Sequence, residues 1–140
     1  MFIQSSALYA ENFAWQTDEV SVPFAEAAIA VSFTNCSAEG PLEEALSGYD
    51  WIEFHWPQVR SLIQEQAFAF YEPYADAVPG VPRFDAADQL WGTEVLLSIE
   101  LSSKHQFSIT MRFEWQEEDD PHQITFYVVD GRCQTHSIDG

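Results

Sequence analysis

The sequence predicts an α+β fold: an antiparallel β-sheet of five or six strands with one long α-helix packed on one face. Three observations carry that prediction. Between Trp56 and Tyr71 the apolar residues Val59, Leu62, Ile63, Ala67 and Phe70 recur at spacings of three and four, the period of a one-sided helix. From Glu94 to Ile138 the period changes to two, as in strands with one covered and one wet face. An apolar helical stripe and a one-sided sheet each need cover, and each supplies it to the other. The 140 residues, 46% of them hydrophobic and 15% aromatic, suffice for one α+β domain over 1–140 with a buried core.

Residues 1–18 are rich in large apolar side chains without a clear period. Phe2, Ile3, Leu8, Tyr9, Phe13 and Trp15 suit a sheet edge or a cover for the helix. Val20, Val22 and Phe24 alternate with Glu19, Ser21 and Pro23, which reads as a short strand closed by proline. After a turn at residues 25–27, Ile29, Val31 and Phe33 form a second alternating run, expected to hairpin with the first. Asn35 to Pro41 is loop-like, and Pro41 to Leu46 allows one helical turn before Gly48.

Asp50 and Glu53 are expected just before the main helix, where the unpaired N–H groups favour negative charge by up to about 1 kcal/mol each. Trp51, Phe54 and Trp56 form an aromatic cluster expected to pack at the helix entry. Pro57 fits the first turn of that helix. Pro73 clashes with the carbonyl of residue 69, so the helix is expected to end or kink near Glu72. Residues 77–89, with Pro79, Gly80 and Pro82, read as an exposed and mobile connection.

In the next strand Val95, Leu97, Ile99 and Leu101 are assigned to one face and Glu94, Leu96, Ser98 and Glu100 to the other. Phe107, Ile109, Met111, Phe113 and Trp115 then alternate with Gln106, Ser108, Thr110, Arg112 and Glu114. Ser102 to Lys104 is short enough to make these two strands antiparallel neighbours. Ile124, Phe126 and Val128 form a further apolar row. Asp130-Gly131 signals a type I′ turn leading to a last strand, Arg132 to Ile138. The wet face carries Gln106, Ser108, Thr110, Arg112, Thr125 and Tyr127.

The charge balance is extreme: 23 Asp and Glu against five Lys and Arg, a formal net charge of −18. Such a polyanion repels nucleic acid and anionic membrane and attracts basic proteins, unless the acidity serves solubility alone. No apolar run reaches the length of a membrane span. The first residues carry no basic group and no long apolar core, so a cytoplasmic protein is expected. Cys36 and Cys133 form no CxxC pair and read as two thiols or as one disulfide.

None of the common catalytic motifs occurs, neither GxSxG, a phosphate-binding glycine loop, HExxH nor an EF-hand, so neither enzymatic activity nor a cofactor is expected. His55, His105, His122 and His136 lie far apart. Two or three of them with Asp119 or Asp120 make a zinc site the lesser reading. Glu117, Glu118, Asp119 and Asp120 are the densest charge. They are contiguous rather than spaced as calcium ligands are, which leaves a solvated loop or a dock for Lys and Arg of a basic partner. We take the dock as the site, with Trp115 and Tyr127 as aromatic anchors beside it.

The segments WPQVRSLIQEQAFAFYEPY, LLSIEL, ITMRFEWQEEDDPHQITFYVVDG and the terminal IDG resemble, in order and spacing, a family of small acidic bacterial proteins that look like immunity proteins of polymorphic toxins. The likeness covers roughly the last two-thirds of the chain. It departs from the family at Asp119-Asp120-Pro121-His122-Gln123, where an Asp-x-Glu-His-Gly turn is usual. The resemblance implies a protein, monomeric or homodimeric, that binds and occludes a cognate toxin domain with a basic cleft. The alternative is an acidic interaction module or adaptor with no toxin partner.

Overall fold

A computed structural model describes residues 8–11, 14–115 and 123–139. The expected calls on Phe2, Ile3, Phe13, Glu117, Glu118, Asp119, Asp120 and His122 fall outside the described residues. The elements are β1 (Leu8–Glu11), β2 (Ala14–Thr17), β3 (Ala30–Phe33), β4 (Cys36–Ser37), β5 (Gly40–Pro41), α1 (Glu43–Phe54), α2 (Trp56–Ala77), α3 (Ala87–Trp91), β6 (Glu94–Ser103), β7 (Gln106–Phe113), β8 (Gln123–Val129) and β9 (Arg132–Asp139).

Seven strands form one sheet in the order β1-β2-β3-β6-β7-β8-β9, and β4 pairs only with β5. The sheet is therefore wider than the five or six strands expected. All neighbours are antiparallel except β3 and β6, which run parallel. A parallel pair needs a long crossover, and the whole helical layer lies within it. Among the described residues the long helix α2 is joined by α1 and α3, with α1 against β6 and α2 reaching β9.

The long helix buries Val59, Ile63, Ala67, Tyr71 and Ala75, a stripe that advances four residues at a time. The stripe meets the inward row of the sheet, where Ile99, Leu101, Phe107, Ile109, Met111, Phe113, Ile124, Phe126 and Val128 are all buried. The helix continues through Pro73 to Ala77 instead of ending near Glu72. Proline removes the bond to the carbonyl of Ala69, but Ala69 is exposed, so that carbonyl is open to solvent.

α1 was expected as one turn closed by Gly48, yet it runs twelve residues through that glycine. A Cβ at position 48 would stand 2.7 Å from Lys104 N and from Ser103 C. The glycine is thus the contact that lets α1 lie directly on the β6–β7 turn. Asp50 and Glu53 belong to this helix rather than to a lead-in for α2. Of the expected aromatic cluster, Trp51 stacks on His55 and Trp56 on Phe24, whereas Phe54 is 83% exposed.

The expected hairpin of residues 20–33 is reduced to a single bridge, Val20 to Ile29. β3 pairs instead with β2 and β6. At the other end of the chain Asp130 and Gly131 have φ of 50° and 78°, as a type I′ turn requires. In β6 the register slips between Leu96 and Ser98. This bulge reverses the assigned faces upstream of it, so that Leu96 is buried and Val95 and Leu97 are only half-buried.

Candidate functional site

The bulge in β6 builds the site. Upstream of it Glu94 pairs with Phe113 and Leu96 with Met111, both members of the inward row. Glu94 therefore stands on the face covered by helices rather than on the wet face. It lines a cavity of about 380 Å³ enclosed by the start of α2, the end of α3, the segment before β3 and the ends of β6 and β7. Two aromatic walls flank this cavity. Phe24 stacks on Trp56 at 4.4 Å between ring centres, and Trp91 carries the Arg60 guanidinium 5.5 Å above its ring.

Three carboxylates, Glu26, Glu94 and Glu114, line the cavity with that one arginine. Among the described residues Arg60 forms no ion pair with them. Glu94 Oε2 is shielded from water and accepts no hydrogen bond. Burial is the main cause that lifts the Glu94 carboxyl above its ordinary range. Its own backbone and Arg60 oppose the rise, while Glu26 and Glu114 add to it. A half-buried carboxylate in no ion pair, lining a cavity with aromatic rings and two more carboxylates, favours a cation over an anion there.

The walls are pinned in place. Tyr71 Oη donates to Pro82 O and accepts from Phe84 N at 2.8 Å, which ties the connection after α2 to the helix. Arg83 pairs with Asp76 at 2.7 Å on the same connection. The expected loose loop is thus tethered ahead of α3, and α3 sets Trp91. At the other rim Glu114 N donates to Thr93 O, and Trp115 Nε1 donates to Thr93 Oγ1 at 3.1 Å.

Of the residues expected to form the site, only Trp115 and Tyr127 are described, and they lie on opposite faces of the sheet. Trp115 is half-buried on the helical side, stacked on Phe113 at 5.1 Å and near Tyr71 and Tyr74. Tyr127 is 40% exposed on the open face, opposite Ser108 in the register. The sheet lies between the two. Glu117, Glu118, Asp119 and Asp120 lie beyond Trp115, outside the described residues.

A second polar cluster lies on α1. Burial first, and then Glu53, raise the Tyr49 hydroxyl well above its ordinary value. Glu53 is itself raised by burial and by Asp50, with the Tyr49 hydroxyl opposing. Cys36 and Cys133 are half-buried thiols rather than a disulfide, and burial pushes the Cys133 thiol up to about 11. Among the described residues no group of His, Cys, Asp and Glu is arranged to hold a metal ion. No helix there is long and apolar enough to cross a membrane.

Sequence reasoning missed Arg60, Glu94 and Glu114 as site residues. The available signal was the adjacent pair Leu96-Leu97, which breaks the alternation of β6. Compared with known proteins, the chain matches no family model, no curated protein and no solved structure.

Proposed function

We propose that this chain is a stoichiometric binding protein of the immunity type, which neutralises a toxin by covering its basic active-site cleft. The observation that carries the reading is the one-sided placement of charge. Between Glu43 and Trp91 the helical layer holds nine Asp and Glu against Arg60 and Arg83. On the open face of β6, β7 and β8, the residues Ser98, Glu100, Ser108, Thr110, Arg112, Thr125 and Tyr127 include one acid and one base. An anionic helical layer opposite the near-neutral outer face of β6–β8 steers a cationic partner to the helical side, and in sequence Glu117 to Asp120 follow Trp115.

On this reading Glu117, Glu118, Asp119 and Asp120 meet the partner together with Trp115, and Tyr127 does not. The protein acts in the cytoplasm and contributes no chemistry of its own. The neutral open face favours the second reading, an adaptor that docks there and keeps its acidity for solubility.

Co-expression tests the first reading. The open reading frame next to this gene in the organism of origin is expressed alone and with this chain. Growth arrest relieved only by this chain is expected. A harmless neighbour, or one that stays toxic beside the chain, overturns the immunity role.

A further inference from the structure

We propose that the cavity between α2, α3 and β6 receives one cationic side chain, a guanidinium on an alkyl stem, presented by the partner. The inference rests on the binding reading above only for where the cation comes from. The geometry itself supplies the chemistry. Glu94 Oε2 is shielded from solvent and has no hydrogen-bond donor among the described residues, and such an oxygen is costly to keep unless something else satisfies it. Arg60, the nearest positive group, is engaged with the Trp91 ring and pairs with none of the three carboxylates. The stacked Phe24 and Trp56 rings offer a flat wall for an alkyl stem or a planar guanidinium. The volume of about 380 Å³ is ample for one arginine-sized group.

An anion is the wrong ligand for this cavity, because three carboxylates oppose a single guanidinium. A neutral apolar ligand leaves Glu94 unsatisfied. The guanidinium has up to five donors for Glu94, Glu26 and Glu114 and a face for the rings. Its charge also draws the Glu94 carboxyl back toward its ordinary range, so binding is coupled to loss of a proton. Facing Glu94 are Arg60 from α2, Glu26 from the segment before β3 and Glu114 from the end of β7. Affinity therefore falls as pH drops through the raised Glu94 value.

The test uses agmatine, which is arginine without its carboxylate and carries a guanidinium and a terminal ammonium, and n-butylurea, a neutral molecule related to its guanidinium end. Both are titrated into the full chain while the indole N–H signals of Trp56 and Trp91 are followed by NMR. Saturable shifts with agmatine and none with n-butylurea are expected. Glu94→Gln, which keeps the shape and removes the charge, is expected to weaken agmatine roughly tenfold or more. Equal responses to both compounds, no saturation, or unchanged affinity in Glu94→Gln overturns the proposal. Should Glu94→Gln misfold by circular dichroism, Glu114→Gln provides the same comparison at the rim. A chain that protects cells but ignores agmatine loses the pocket and keeps the immunity role. The converse result keeps the pocket and removes the toxin.

Discussion

Replacing Gly48 by alanine tests the contact that seats the helical layer. In an unobstructed helix interior Gly→Ala stabilises by about 1 kcal/mol, because glycine loses more backbone freedom on folding. Here the new Cβ would sit 2.7 Å from Lys104 N and Ser103 C and 3.0 Å from Ser103 Cα. Those distances fall roughly 1 Å short of normal carbon contact, and the obstructing atoms are backbone. Relief requires moving α1 off the β6–β7 turn, an overpacking cost of about 1–3 kcal/mol. Partly offset by the helix gain, Gly48→Ala should fail to stabilise, losing up to about 2 kcal/mol and lowering Tm by up to roughly 8 °C. Urea denaturation and a thermal melt measure both, with Ser47→Ala, an exposed site in the same helix, as the neutral reference. A Gly48→Ala protein stabilised by the ordinary helix increment would mean that α1 does not rest on that turn.

Three further outcomes follow from the same structure. The Glu94 carboxyl is raised in the folded state, so its ionisation opposes folding at neutral pH and ceases to do so once it is protonated. Glu94→Gln should accordingly be more stable than the wild type at pH 8, with the gap narrowing as pH falls toward 4.5; a gap that widens on acidification reverses the sign and refutes the assignment. Arg60→Gln removes the charge that competes for the pocket and should tighten agmatine at least about threefold, whereas weaker binding would make Arg60 part of the seat. Tyr71→Phe deletes the hydroxyl that ties Pro82 and Phe84 to α2 and should cost about 1–2 kcal/mol. Trypsin should then cleave after Arg83 faster than in the wild type, and equal cleavage rates would show that the tether does not hold the connection.

Periodicity made α2, β7, β8 and the Asp130-Gly131 turn legible in the sequence, because each buries one continuous apolar row. What escaped depends on pairs of residues distant in the chain. Gly48 reads locally as a helix breaker, and only the β6–β7 turn against it explains why a helix needs it there. Pro73 reads as a stop, yet the carbonyl it leaves without a donor belongs to the exposed Ala69. The parallel pairing of β3 with β6 leaves no local mark at all. The bulge after Leu96 carried the largest consequence, since a one-residue slip moved Glu94 from the wet face into the cavity. Strand parity had already separated the two expected anchors: Trp115 continues the apolar row of Phe113, and Tyr127 belongs to the wet row of Thr125.

The central claim is that one molecule of this chain, offering its acidic helical side, silences one molecule of a cationic toxin. Titrating the purified toxin domain with the chain, and following the toxin's own activity, tests that claim most directly. The account predicts a linear fall to zero at an equimolar ratio, with weaker inhibition at high salt. Residual activity at a large excess of the chain, or full silencing by a small fraction of an equivalent, would contradict it.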